Sequence, residues 1–171
     1  TGMEKRNFLL ILDSLIHADG KVNLLELSIA WILEKHLNSS EDLFQTIKKF
    51  SYGQVGLDIV ILLSALASAG HAENRDEAQR AFDAGLGRIP ELAARKPVFS
   101  FQEVDSCANV NRALKDLTDA SYKIKESIID ACAHCAFADN KITVEEGELL
   151  RVVALALQCP MPPLVALTKQ E

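Results

Sequence analysis

The chain has 171 residues, 49% of them apolar and 25% charged, with a formal net charge of −6. That length fits one domain, residues 1–171, with room for a continuous core, and the apolar share excludes disorder over most of it. The acidic balance argues against a nucleic-acid partner and against an anionic membrane surface, both of which call for a basic patch. Four cysteines with no secretory leader pattern are expected as free thiols in a reducing compartment.

In chain order, the first predicted helix covers Glu4 to His17, with Phe8, Ile11, Leu12, Leu15 and Ile16 on its apolar side. Because Thr1-Gly2-Met3-Glu4 already lies close to that pattern, the chain is expected to be a fragment of a longer protein. Asp19-Gly20 then turns the chain into a helix from Leu24 to about His36, burying Leu27, Ala30 and Trp31. A third, short helix is expected over Glu41–Phe50, and Tyr52–Gly56 is expected as a loop. The most apolar stretch, Ile59 to Gly70, is too short to span a bilayer by itself and reads as a buried central helix, with Asp58 near its start and Gly70 as its stop.

Asn74 with Glu77 opens the next helix, which ends around Leu86-Gly87 ahead of Pro90. The pattern lapses between Ile89 and Ser100, where Arg95-Lys96-Pro97 reads as a surface loop. Ser100 with Glu103 forms a capping box for a helix to about Leu117, and Ser121 caps one to Ala138. The last helix runs from Val144 to Gln158 and is stopped by Cys159-Pro160-Met161-Pro162-Pro163. No stretch alternates with period two, so the expected fold is all-α with seven or eight helices.

One pattern occurs twice. Ala18-Asp19-Gly20-Lys21-Val22-Asn23 with Glu26 returns as Ala138-Asp139-Asn140-Lys141-Ile142-Thr143 with Glu146. In each copy a turn pair is followed by an N-cap, Asn23 or Thr143, and a glutamate three residues later that can reach back to the cap. An offset of 120 residues sets Phe8 on Ile128, Leu12 on Cys132, Leu15 on Cys135 and Leu37 on Leu157. Two pseudo-symmetric helical hairpins, packed through those faces, are therefore expected.

The acidic residues of the two turns, Asp19, Glu26, Asp139 and Glu146, with Glu145 and Glu148 nearby, are hard oxygen donors that could hold a divalent cation, calcium or magnesium. Every one of the four also has a turn or capping role that needs no metal, and Lys21 and Lys141 break any EF-hand spacing. Cys132 and Cys135 have C-x-x-C spacing with His134 between them, but their counterparts in the repeat are leucines, so they read as core rather than as a zinc or redox pair. Cys107 and Cys159 complete no zinc pattern. His17, His36 and His71 fall at helix ends. Trp31 reads as core, although its counterpart Arg151 leaves a partner-facing role open. No H-E-x-x-H, P-loop, G-x-S-x-G or dinucleotide-binding glycine pattern is present, and nothing places a nucleophile beside a base, so no catalytic residue is assigned.

The Asp19 turn, its capping Glu26 and the echo at Asp139 and Glu146 resemble the TerB-like helical fold of tellurite-resistance proteins. That resemblance implies divalent-metal binding through those four residues in a stand-alone stress-response domain; Asn140, in place of the usual glycine, departs from it. A longer run of landmarks covers nearly the whole chain: Arg6-Asn7-Phe8, Leu15 to Val22, Leu62-Leu63-Ser64-Ala65-Leu66-Ala67-Ser68-Ala69-Gly70-His71, Ala136 to Asp139, and Cys159 to Leu164. It is similar to the C-terminal soluble region of HtpX-like, membrane-bound zinc metallopeptidases. The resemblance implies that the zinc and the H-E-x-x-H motif belong to an upstream domain with transmembrane helices. This chain would be a non-catalytic interaction or regulatory domain on the cytoplasmic side of the inner membrane. Its partner would be another protein or the parent's own peptidase domain, with no membrane insertion by this segment.

Overall fold

The computed structural model describes residues 47–100 and 107–162, together with Met3, Glu4, Asn7, Phe8, Leu10, Ile11, Ser14 and Leu33. The first expected turn with Asp19 and Glu26, along with His17, Trp31, His36 and the residues following Ser100 in its expected capping box, lies outside them. Among the described residues six helices are delimited: α1 Tyr52–Gly70, α2 Arg75–Leu86, α3 Pro90–Ala93, α4 Cys107–Thr118, α5 Tyr122–Ala136 and α6 Val144–Leu157. No sheet occurs among them. This supports an all-α fold, with six helices delimited among the described residues in place of the expected TerB-like bundle of seven or eight.

Within the described residues, three boundaries differ from the expected ones for local reasons. Ile47–Phe50, expected as the end of a helix, is not helical. The amides of Lys48 and Lys49 donate to the Asp119 carbonyl at 2.9 and 3.1 Å, and Ser121 donates back to Lys49 at 2.9 Å. Backbone groups committed to this single parallel bridge between Lys49 and Ala120 cannot also serve a helical ladder. The expected loop at Tyr52–Gly56 is instead the first turn and a half of α1. Ser51 and Gln54 form a capping box, and the Gln54 Oε1 accepts from the Phe50 amide at 3.0 Å. The lapse after Ile89 contains a one-turn helix with Pro90 at its start, where a missing N–H costs nothing.

α1 is the axis of the described fold. It packs on α2, α4, α5 and α6, and α2 also lies along α5. Its inner face, including Val55, Ile59, Leu62, Leu63 and Leu66, meets Phe82, Leu114, Leu117, Ile128, Leu149, Leu150 and Leu157 in one core. Each of these large side chains contributes about 1.5–3 kcal/mol of transfer free energy on burial. With the first turn and a half included, α1 is 19 residues long and is the one described helix long and apolar enough to cross a bilayer, but 67% of its apolar window is buried against the other helices. α2 approaches α5 at Gly85, where a β-carbon would lie 2.8 Å from the Ala131 carbonyl oxygen and 2.9 Å from the Cys135 β-carbon.

The proposed equivalence of the two hairpins does not extend to burial at the one pair described. Phe8 is 45% exposed, whereas Ile128, its counterpart at an offset of 120, is fully buried.

Candidate functional site

Of the four acidic residues with donor chemistry, two are described, and both have protein partners. The Asp139 carboxylate accepts from the Lys141 amide at 2.9 Å, closing the turn, and Asn140 takes the left-handed conformation at φ 62°. Glu146 is 2% exposed. Its Oε2 accepts from the Thr143 amide at 2.8 Å and from the Thr143 hydroxyl at 3.0 Å, while the Thr143 hydroxyl accepts from the Glu146 amide at 3.2 Å. This is a complete capping box on α6. Burial pushes the Glu146 carboxyl above its ordinary range, against the lowering effects of the Thr143 hydrogen bonds and of His71. The carboxylate rests on the bare α-carbon of Gly70, where a β-carbon would collide with it.

Cys132 and Cys135 are both in the core. Burial pushes the Cys132 thiol up to about 12 and raises Cys135 too, so neither offers a thiolate near neutral pH. The Cys135 Sγ donates weakly to the Leu63 carbonyl at 3.7 Å, tying α5 to α1. Cys159 is half-buried and free. His71 is at the C-cap of α1, 3.6 Å from Glu77, and His134 Nδ1 contacts the Asp130 carbonyl at 2.9 Å within its own helix. Among the described residues no group of three or more His, Cys, Asp or Glu side chains could hold a metal ion.

A concave surface lies on the other side of α1. A groove of about 310 Å³ runs between α1 and the α3–Ser100 segment. Leu57, Val60 and Ile61 form one wall, and Leu92, Pro97 and Val98 form the other. The far wall is held by Phe99, which is buried with its ring centroid 5.4 Å from that of Phe82. Gly56 lets the walls approach, since a β-carbon there would lie 2.9 Å from the Leu92 Cδ1. Leu57 is 67% exposed and Val98 82%, apolar surface that a folded chain normally covers.

Two polar groups bracket the apolar walls. Ser64 lines the floor but is 2% exposed, and its hydroxyl, shielded from solvent, has no hydrogen-bond partner, as is also true of the Ser68 hydroxyl and the Asn111 Oδ1 outside the groove. Arg95 lines the opposite end and forms no ion pair with a described carboxylate. Apolar walls with a few polar groups at their ends are the usual lining of a ligand or peptide groove. Sequence reading missed all of it, treating Arg95-Lys96-Pro97 as surface loop and Ser64 as one residue of an apolar helix. The available signal was Gly53 and Gly56 beside an apolar run, since glycines at helical positions mark close backbone approach. Comparison with family models, with curated proteins and with solved structures finds no match for the chain.

Proposed function

We propose that this chain is a non-catalytic interaction module, the C-terminal soluble domain of an HtpX-like membrane-bound zinc metallopeptidase. It holds a protein partner, a substrate or the peptidase domain itself, in the groove beside α1. The observation that carries the reading is the groove itself, an apolar cleft whose walls include the exposed Leu57 and Val98. Asp139, Glu146, Cys132 and Cys135, the described candidates for chemistry, are committed to the turn, the cap and the core. The landmark run from Leu62 to His71, which supports the peptidase relationship, includes Ser64 on the floor of this groove. Zinc chemistry in the parent would belong to its H-E-x-x-H helix and not to this chain.

The test begins with the reading frame upstream of Thr1, which should encode transmembrane segments and an H-E-x-x-H helix. In that parent protein, Leu57→Asp combined with Val98→Asp should raise KM for a protein substrate by about tenfold. Hydrolysis of a short reporter peptide, which needs only the zinc site, should be unchanged. A frame without the motif, or a double variant that cleaves protein substrates as the wild type does, overturns the proposal. Chelator-sensitive proteolysis by this chain alone would overturn its non-catalytic part.

A further inference from the structure

One residue of the C-x-x-C segment on α5 is absorbed by neither core nor cap. His134, between the buried Cys132 and Cys135, reaches the surface with its side chain 33% exposed. Its Nδ1 is turned back on the preceding turn, 2.9 Å from the Asp130 carbonyl oxygen and 3.3 Å from the Asp130 Oδ1. Both neighbours are acceptors, so Nδ1 carries the ring proton and donates it. The lone pair of the neutral imidazole is then on Nε2, at the edge of the ring away from those oxygens, where no described residue bonds to it.

The Asp130 carboxylate has a second partner. Its other oxygen, Oδ2, accepts from Arg88 Nε at 2.7 Å, joining the chain just past α2 to α5. That bond is made through Nε, so the two terminal nitrogens of the guanidinium are not spent on it. One exposed carboxylate thus orients an imidazole with one oxygen and a guanidinium with the other.

These features discriminate among roles. A tie that only fastened α2 to α5 would be complete with Arg88 and Asp130 and would give His134 Nε2 nothing to do. A divalent cation would need further donors, and the described residues assemble no group of three or more His, Cys, Asp or Glu side chains that could hold one. An acceptor of a neutral acyl group would have no use for the guanidinium. A phosphoryl acceptor uses all three: a nucleophilic nitrogen, a carboxylate that fixes the tautomer, and a planar cation suited to phosphate oxygens. We infer that His134 is a phosphoryl acceptor, taking the group on Nε2 from an N-phosphorylated donor while Asp130 holds Nδ1 and Arg88 pairs with the transferred oxygens.

The step is a substitution at phosphorus. The Nε2 lone pair forms the new N–P bond as the donor's N–P bond breaks, and that electron pair leaves with the donor nitrogen, already protonated, as a neutral amine. The Nδ1 proton stays in place, and its bonds to Asp130 strengthen as the ring becomes cationic. Nothing is oxidised or reduced.

The test incubates the 171-residue chain with phosphoramidate and reads the modified residue by mass spectrometry and the ring nitrogen by phosphorus NMR. His134 should be phosphorylated on Nε2 at least about tenfold faster in the folded chain than in the same chain unfolded in urea. The other three histidines should show no such acceleration. Asp130→Asn and Arg88→Gln should each slow the reaction by about fivefold or more, and Arg88→Lys, which keeps a cation, should be slowed less than Arg88→Gln. Melting temperatures of the variants, measured alongside, separate these effects from unfolding. A folded-chain rate at His134 no higher than the unfolded one, label on Nδ1, or rates unaffected by both Asp130→Asn and Arg88→Gln overturns the inference. Leu57→Asp with Val98→Asp should leave the rate unchanged, so the groove reading and this one fail separately; a rate lost in that folded double variant would overturn the assignment to the Arg88–Asp130–His134 cluster.

Discussion

The turn between α5 and α6 and the groove beside α1 both contain buried side-chain oxygens, and they treat them in opposite ways. At the turn, Asp139, Thr143 and Glu146 satisfy one another and the backbone within a few residues. In the groove the Ser64 hydroxyl has no partner and Leu57 and Val98 face solvent. A region whose polar groups are all used internally contributes to stability. A region that leaves them unused gives up that contribution, at some cost to the fold.

The sharpest way to break this comparison is truncation of large apolar side chains on the two sides. Ile128→Ala, in the core on α5, the helix that leads into the turn, should lower unfolding stability by about 2–5 kcal/mol in chemical denaturation. Leu57→Ala, on the groove wall, should change it by no more than about 0.5 kcal/mol. Equal losses would mean that the groove wall is structural. Glycine-to-alanine changes should differ in sign. Gly85→Ala forces a β-carbon against the Ala131 carbonyl and should cost about 1–3 kcal/mol. Gly53→Ala meets only ordinary contacts and should gain about 0.5–1 kcal/mol through helix propensity, read as a higher melting temperature.

The cap itself offers a smaller and pH-dependent effect. Thr143→Ala should cost about 1 kcal/mol. Because burial raises the Glu146 carboxyl above its ordinary 4.5, the folded state binds that proton more tightly than the unfolded chain. Its contribution to stability is full below that ordinary value and is lost as pH rises through the raised folded one. Glu146→Gln keeps an acceptor at the cap without the charge. Its stability relative to wild type should therefore climb as pH rises across that window in urea titrations. A constant difference would show that Glu146 does not titrate there. Smallest of all, Asp139→Asn retains the turn acceptor and should shift stability by less than about 0.5 kcal/mol. A magnesium- or calcium-dependent rise in melting temperature that this variant abolishes would reassign the turn as a metal site.

The same contrast explains how much was legible in the sequence. Asn74, Thr143 with Glu146, and Asn140 act within four residues of themselves, so their spacing alone identified the caps and the turn. Cys132 and Cys135 were placed in the core by comparison with leucines, and they lie there. The start of α1 was expected as a loop, but the Ser51–Gln54 box opens the helix there and packing of Gly56 against Leu92 compensates for the low helix propensity of the two glycines. The groove was not legible because its walls come from α1 and from residues around Val98, brought together by Phe99 packing on Phe82. No local spacing encodes that contact.

The bridge between Lys49 and Ala120 has a mechanical consequence. Its three backbone hydrogen bonds, with the Lys48–Asp119 ion pair at 2.9 Å beside them, fasten the strand of chain entering α1 to the junction of α4 and α5. Tension applied from the N-terminal side would load this clasp in shear before it reached the first turn of α1. A pull along the polypeptide would thus be borne by the α4–α5 junction, leaving Gly53 and the groove entrance unstrained until the clasp failed.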